Sequence, residues 1–437
     1  MAKTARSAMV VAIGVSLTML PFFPAQGATP KTKRVSVRSN GAEVEGGNSL
    51  APSISATGRF VSFESDATNV VGGDDNASSD VFVHDRKTKK TRRVSVRSNG
   101  DEADGDSRNP SISADGRFVS FESFATNLVP GDDIGKNDVF VHDRKTGKTR
   151  RVSVRSNGVQ GDFGSFKPSI SANGRFVSFE SVATNLVADD DNGSSDVFVH
   201  DRNTSKTKRV SVRSNGDEAE GGLSNYPSIS ATGRFVAFRS LATNLVPGDD
   251  NGQNDVFVHD RKTGKTRRVS VRSNGDQGDF GSLNPSISAN GRFVSFESVA
   301  PNLVADDDNG TADVFVHDRN TSKTKRVSVR SNGNEADGGS RYPSISATGR
   351  FVSFESFATN LVDSDANGQY DAFMHDRKTG KTRRVSVRSN GDEAEGASEA
   401  SSVSADGRFV AFNSHADNLV PDDDNNNHDV YVRGPLR

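Results

Sequence analysis

The sequence predicts an all-β protein: a single seven-bladed β-propeller of four-stranded antiparallel blades, closed by the N-terminal strand completing the last blade. Three observations predict it. One string recurs seven times at near-constant spacing. Each copy holds four short β-rich runs, and the two ends of the array are complementary fragments of one copy.

The string R-V-S-V-R-S-N-G begins at Arg34, Arg93, Arg151, Arg209, Arg268, Arg326 and Arg384, at steps of 58 or 59 residues. Each copy continues with P-S-I-S, then G-R-F-V-S-F, then D-V-F-V-H-D, then T-R-R-V-S-V, with small variations. These are runs of Val, Ile and Phe punctuated by Gly, Asn, Asp and Ser, and none has a helical period. Four strands repeated seven times is propeller arithmetic. Thr57-Gly58, Asp115-Gly116 and Asn173-Gly174 lie between the first two runs, where a tight hairpin needs positive φ. Lys145-Thr146-Gly147-Lys148 turns between the third and fourth runs.

Arg34-Val35-Ser36-Val37 is a fourth-strand sequence with no blade before it, and Asp429-Val430-Tyr431-Val432 is a third strand with no fourth after it. Pairing the two makes a complete blade and removes the raw edge that an open ring would leave.

Residues 1–27 read as a leader. Lys3 and Arg6 give a positive start, Ala8 to Phe23 is apolar but short and Pro-broken, and Ala25-Gln26-Gly27 is a small-x-small cleavage signal. The expected mature chain, 28–437, is the propeller, in a secreted or periplasmic setting. No later stretch is apolar enough to span a bilayer. With no Cys in 437 residues, disulfides, thiolate chemistry and Cys-based metal sites are excluded. The formal net charge is −2, from 57 acidic and 55 basic residues, so charge informs only once it is mapped.

Pro110-Ser-Ile-Ser-Ala-Asp-Gly-Arg-Phe-Val-Ser-Phe121 resembles the repeat of TolB-like (WD-repeat-like) bacterial β-propeller proteins, and the likeness recurs in all seven copies. Asp-Gly itself stands only at Asp115-Gly116 and Asp406-Gly407, with Thr or Asn before the Gly elsewhere. The resemblance implies the fold and an extracytoplasmic setting, not a function.

No nucleophile elbow or zinc-protease motif is present, so no catalytic residue is assigned. The Thr-Gly-Lys-Thr strings at Thr146, Thr263 and Thr379 lack the upstream Gly of a phosphate loop and fall on hairpin turns. His84, His142, His200, His259, His317 and His375 occupy one equivalent third-strand position, with Arg433 in the last copy. A residue repeated in every blade belongs to the blade, so an inter-strand hydrogen bond is expected for each. Phe60, Phe63 and Phe82 read as core by the same reasoning.

The loop between the second and third runs is more specific than a turn requires. It carries Asp74, Asn76 and Asp80 in the first copy, and Asp132 and Asp138 in the second, where Ile134 replaces the Asn. The third and fourth carry Asp190, Asn192, Asp196 and Asp249, Asn251, Asp255. Asp307, Asn309, Asp313, then Asp365, Asn367, Asp371, then Asp423, Asn425, Asp429 complete the series. Oxygens at positions one, three and seven of a tight loop suit Ca²⁺. The pattern resembles a shortened form of the Asp-rich calcium loops of integrin-type propellers, with Pro or Ala where those carry a further acid. A solvated turn, with Asn-Gly bending and Asp capping the strand, explains the same residues, and both readings stand.

Propeller connectivity sends the second-to-third and blade-to-blade loops to one face, and the two tight hairpins to the other. In the fourth copy the first face carries Asp217, Glu218, Glu220, Asp249, Asp250 and Asp255, and the second carries Arg234, Asp260, Arg261, Lys262, Lys265 and Arg267. The expectation is a non-enzymatic binding scaffold, with calcium as its candidate ion and the acidic, long-loop face as the surface for a protein or polysaccharide ligand. The alternatives are a hydrolase or lyase acting on an envelope or environmental polymer at the central channel, and an envelope assembly protein held through the basic face. His415 and His428 are the blade-specific residues that bear on the enzymatic alternative.

Overall fold

The computed structural model describes residues 29–132 and 135–436. The leader, its cleavage site and Ile134 lie outside the described residues. The described chain forms seven four-stranded antiparallel sheets. The first blade shows the plan: Ser49–Ile54 innermost, then Phe60–Ser65, Asp80–Asp85 and Lys90–Arg93 at the rim. The seventh combines Ser398–Val403, Val410–Ser414 and Asp429–Gly434 with Lys31–Arg34 from the other end of the chain, in the register Lys31↔Gly434 to Arg34↔Tyr431. The ring is thus closed by the N-terminal strand.

A second closure runs round the axis at the tight-hairpin end. Ala56 N–H donates to the Ala114 carbonyl (3.1 Å), Ala114 to Ala172 (3.0 Å), and so on to Ala405, which donates back to Ala56 (3.2 Å). One hydrogen bond per blade junction makes a circle of seven.

The fourth strand departs from the sequence expectation. Its ladder is K-T-R-R, ending at the Arg that opens R-V-S-V, because the following Ser takes over the ladder's role. Val94 N–H makes a last bond to the Val81 carbonyl (2.8 Å), then Ser95 Oγ accepts the Val81 N–H (3.0 Å) and donates to Asp80. The alternation V-S-V is real, but it marks one buried valine, a bonding hydroxyl and a half-buried valine rather than a strand. The innermost strand starts earlier than P-S-I-S, at Ser49, with a bulge between Leu50 and Ser53.

The core lies between blades. Phe63 stacks on Phe82 (5.8 Å between ring centroids) and is fully buried, and its equivalents pair likewise, with Phe412 on Tyr431 in the last blade. One apolar cluster joins Val61 and Phe63 of the first blade to Val430 and Val432 of the seventh, so the seam is packed like any other junction. Phe60 differs from the core expectation. It is half-buried at the hairpin end, sandwiched between the Arg59 and Arg144 guanidinium groups, each 4.6 Å from the ring centroid. Gly116 of the neighbouring hairpin lies against that ring: its φ is +73°, and a Cβ there would stand 2.1 Å from Phe60 Cδ2.

Candidate functional site

The long-loop face is built from two connections per blade, and they lock onto each other. The Asn76 Nδ2 donates to the Ala103 carbonyl in the loop leading to the next blade (2.7 Å), while its Oδ1 accepts the Ser78 N–H (2.7 Å). Both ends of the Asn side chain therefore hold loop geometry. Asn192 and Asn309 do the same, and their Nδ2 groups also donate to Asp196 (3.2 Å) and Asp313 (3.3 Å). The sequence expected an oxygen ligand at this position, whereas the group turned toward the carboxylates is a donor.

The two Asp of each loop do converge, and they meet two partners that the sequence reading did not include. Arg93 Nη1 lies 3.2 Å from Asp74 and 2.8 Å from Asp80, and also pairs with Glu102 from the blade-to-blade loop. Arg34 sits likewise among Asp423, Asp429 and Glu43. Arg209 joins Asp190, Asp196 and Glu218, Arg326 joins Asp307, Asp313 and Glu335, and Arg384 joins Asp365, Asp371 and Glu393. In the other two blades a carboxamide replaces the Glu. Gln160 Nε2 donates to Asp132 (3.1 Å) and Asp138 (2.7 Å) beside Arg151, and Gln277 to Asp249 (3.1 Å) and Asp255 (3.0 Å) beside Arg268. A signal for both partners was present. The Arg opens every repeat, and Glu or Gln follows nine residues later in all seven copies.

Electrostatics separates the two kinds of cage. Where Glu is present, three carboxylates face one guanidinium. Burial, with the neighbouring Asp80 next, pushes Asp74 up to about 7, and burial with Asp196 does the same for Asp190. Asp307 is pushed to about 6 by burial and then Asp313. In the Gln cages burial again raises Asp132 and Asp249, but the amide hydrogen bond opposes the shift where Glu would add to it. The five Glu cages have carboxylate oxygens within 4.8 Å of one another and so could hold a metal ion. The donor set suits a hard cation. The chain's own guanidinium already lies among those oxygens, so an ion would have to share the cage or displace it.

The repeated histidines are absorbed by the sheet. His84 Nδ1 and Thr91 Oγ1 of the adjacent strand are 2.9 Å apart, with the same contact at His142, His200, His259, His317 and His375. Burial lowers each ring to about 4, keeping it neutral. The three Thr-Gly-Lys-Thr strings are tight turns, with Gly147, Gly264 and Gly380 at positive φ. His415 and His428 stack obliquely with centroids 5.1 Å apart on the long-loop side of the seventh blade.

The channel opens on the same face in a recess of about 370 Å³, to which each innermost strand contributes the residue before the Pro of S-x-x-P or its equivalent. That residue has positive φ in every blade. It is Ala51 in the first and Ala400 in the seventh, with Asn109, Lys167, Tyr226, Asn284 and Tyr342 between. In a chain whose strands otherwise repeat almost letter for letter, the two positions inside S-x-x-P are where the copies differ most. Around the mouth, the ends of the two innermost strands present Phe124, Phe163, Val182, Leu223, Phe280, Val299 and Phe357. With Val159 and Tyr342 these are all nine strongly exposed large apolar side chains among the described residues. All but Val159, which lies in a turn at the outer rim, form an arc over blades two to six, and Asp66 and His415 hold the places equivalent to Phe124 in blades one and seven. The acidic face thus has an apolar inner margin that a count of charges in its loops does not show.

No family model matches the chain, and no curated protein matches it. Many solved structures share the fold. An oligogalacturonate lyase in complex with manganese is 10% identical with a TM-score of 0.53, covering 94% of this chain and 91% of its own. The β-propeller domain of the trilobed protease from Pyrococcus furiosus is 11% identical, TM-score 0.53, covering 84% and 91%. TolB from Acinetobacter baumannii is 15% identical with a TM-score of 0.41, and this chain covers 70% of itself and 58% of that protein. The likenesses with TM-scores above 0.5 show the fold alone, a β-propeller, and the sheet topology gives it seven blades. Among the described residues no helix is long and apolar enough to cross a membrane.

Proposed function

We propose that the protein is a secreted or periplasmic, non-enzymatic binding scaffold whose ligand surface is the long-loop face. The observation that carries this reading is the grouping of eight of the nine strongly exposed large apolar side chains among the described residues on that face, in an arc around the channel mouth, with Val159 alone in a turn at the outer rim. Isolated surface apolar residues are ordinary, but a one-sided grouping rimmed by charge is the mark of an interaction site. The ligand is a protein or polysaccharide of the envelope or surroundings. The non-enzymatic part is supported by the histidines, whose repeated members are spent on inter-strand bonds. The tight-hairpin face is the surface of the assembly alternative; in the first six blades one of its arginines is already paired, while its turn lysines form no ion pair among the described residues. Arg59 makes a bidentate pair with Asp85 (2.9 and 2.7 Å), as do its counterparts in blades two to six, and this holds Asp85 well below the usual carboxylate range.

Calcium enters this reading at the five Glu cages, with Asp74, Asp80 and Glu102 as the type. Surplus negative charge there favours a divalent ion beside or in place of the guanidinium. With few ligands and an arginine competitor, the affinity is weak, on the order of 10⁻⁴ to 10⁻³ M.

The test is capture of solubilised envelope material and an arrayed set of polysaccharides by three proteins. These are the wild type, a variant with Phe124, Phe163, Phe280 and Phe357 changed to Ser, and a variant with Lys90, Lys148, Lys206 and Lys265 changed to Glu. Loss of capture in the Phe variant alone is expected. Loss in the Lys variant alone would overturn the assignment in favour of the basic face.

A further inference from the structure

Five of the seven blade junctions at the channel mouth are closed by the same device. The Glu near the end of one blade's second strand accepts, through Oε2, the N–H of the positive-φ residue on the next blade's innermost strand. Glu64 takes Asn109 N–H (2.6 Å), Glu122 takes Lys167 (2.6 Å), Glu180 takes Tyr226 (2.7 Å), Glu297 takes Tyr342 (2.8 Å) and Glu355 takes Ala400 (2.7 Å). The bulge takes this N–H out of the strand ladder, so an outside acceptor is needed.

The fourth blade breaks the pattern by reversing the charge. Arg239 stands where five blades have Glu and the seventh has Asn413, facing the Asn284 position, and a guanidinium cannot accept an N–H. The side chain is nonetheless fixed. Its Nε donates to Asn225 Oδ1 (2.6 Å) and its Cζ lies 4.3 Å from the centroid of the Tyr226 ring. Arg239 forms no ion pair among the described residues, and the nearby Glu180 is already engaged by Tyr226 N–H. On the other side of Tyr226, the Lys167 Nζ is 5.7 Å from the ring centroid and donates to Asn109 Oδ1 (3.0 Å). A mouth ringed by carboxylates thus has a cationic sector, from Lys167 of the third blade and Arg239 of the fourth, and beside it an acceptor place that the repeat leaves to a guanidinium.

We infer that this sector is a binding site for a ligand carboxylate, which enters the place of the missing glutamate, accepts the Asn284 N–H and pairs with the preformed Arg239 fork. The inference rests on the long-loop face being the ligand surface and names the chemistry recognised at its centre. Bidentate pairing with a fixed guanidinium discriminates an acid from its neutral counterpart by shape as well as charge. The carboxylate is that of a peptide C-terminus or of an acidic sugar.

The experiment measures binding of two matched pairs to the full-length secreted protein by calorimetry. The pairs are N-acetyl-Ala-Ala acid against its amide, and glucuronate against glucose. In at least one pair the acid binds at least about tenfold more tightly than its neutral twin, as expected for a charged hydrogen bond, and the pair that responds identifies the source. R239E, which restores the repeat's own residue, abolishes that preference while melting at or above the wild-type temperature. R239Q, which keeps the size without the charge, also abolishes it. Equal binding of acid and neutral twin in both pairs, or wild-type preference retained in R239E and R239Q, overturns the inference. Capture of envelope material by the apolar arc is read separately, so a negative result here leaves that reading standing, and loss of capture in the Phe variant does not bear on the acid preference.

Discussion

Changing Arg326 to Met removes the cation from one three-carboxylate cage and leaves Asp307, Asp313 and Glu335 facing one another. In the intact cage Arg326 Nη1 is 3.3 Å from Asp307 and 3.2 Å from Asp313, and both acids are buried. Deleting one partner of a buried ion pair costs about 3–5 kcal/mol, because the remaining charge is stranded. Here Asp307, already raised to about 6 by burial and then Asp313, can take up a proton, so we expect about 2–4 kcal/mol at pH 8. The pH dependence follows from the direction of that shift. An Asp whose folded pKa lies above its unfolded value binds its proton more tightly when folded, so stability rises as pH falls through the folded value toward about 4. The penalty in R326M is therefore largest at pH 8 and smaller at pH 5. Urea unfolding of wild type and variant at the two pH values measures it. Equal midpoints at pH 8, or a deficit as large at pH 5 as at pH 8, would refute the account of the cage. The same variant gives calcium an open position, so millimolar Ca²⁺ should recover more stability in R326M than in wild type.

Deleting residues 28–38 removes the fourth strand of the seventh blade, the buried Val35 and the Arg34 partner of Asp423 and Asp429. Four ladder positions and a stranded acid pair together make a loss of at least about 5 kcal/mol, and a melting temperature equal to that of the full chain would contradict closure. Gly116→Ala places a methyl against the Phe60 ring at a positive φ, so it should lower stability by about 2 kcal/mol or more; calorimetry showing no loss would dispute that contact. For the wild type after EDTA, melting in millimolar Ca²⁺ should exceed melting in equal Mg²⁺ at fixed ionic strength, and equal effects would remove calcium from the account.

The architecture was legible because each of its determinants is local and repeated. Gly58 and its counterparts mark hairpins, D-V-F-V-H-D marks a strand buried on both faces, and Arg34 with Asp429 marks the seam. What resisted reading was side-chain direction. From spacing alone Asn76 offers an oxygen, yet its amide is turned to bond loop to loop, and no pattern in the loop states which end faces the acids. Arg93 and Glu102 recur at fixed offsets, but a period-two reading assigned the Arg to a strand and left its long side chain uncounted. The fourth strand was placed late because V-S-V alternates like a strand while Ser95 bonds like a cap. The apolar arc and Arg239 were hidden for the opposite reason. They are departures from the repeat, and attention to what recurs passes over them.

The central claim is that the long-loop face meets the ligand, and hydroxyl-radical footprinting tests it most directly. The full-length protein is labelled with and without captured envelope material, and oxidation is read peptide by peptide. The account predicts protection at Phe124, Phe163, Phe280 and Phe357, with the tight-hairpin peptides around Lys148 and Lys265 unchanged. Protection of those hairpins with the four phenylalanines still fully labelled would contradict it.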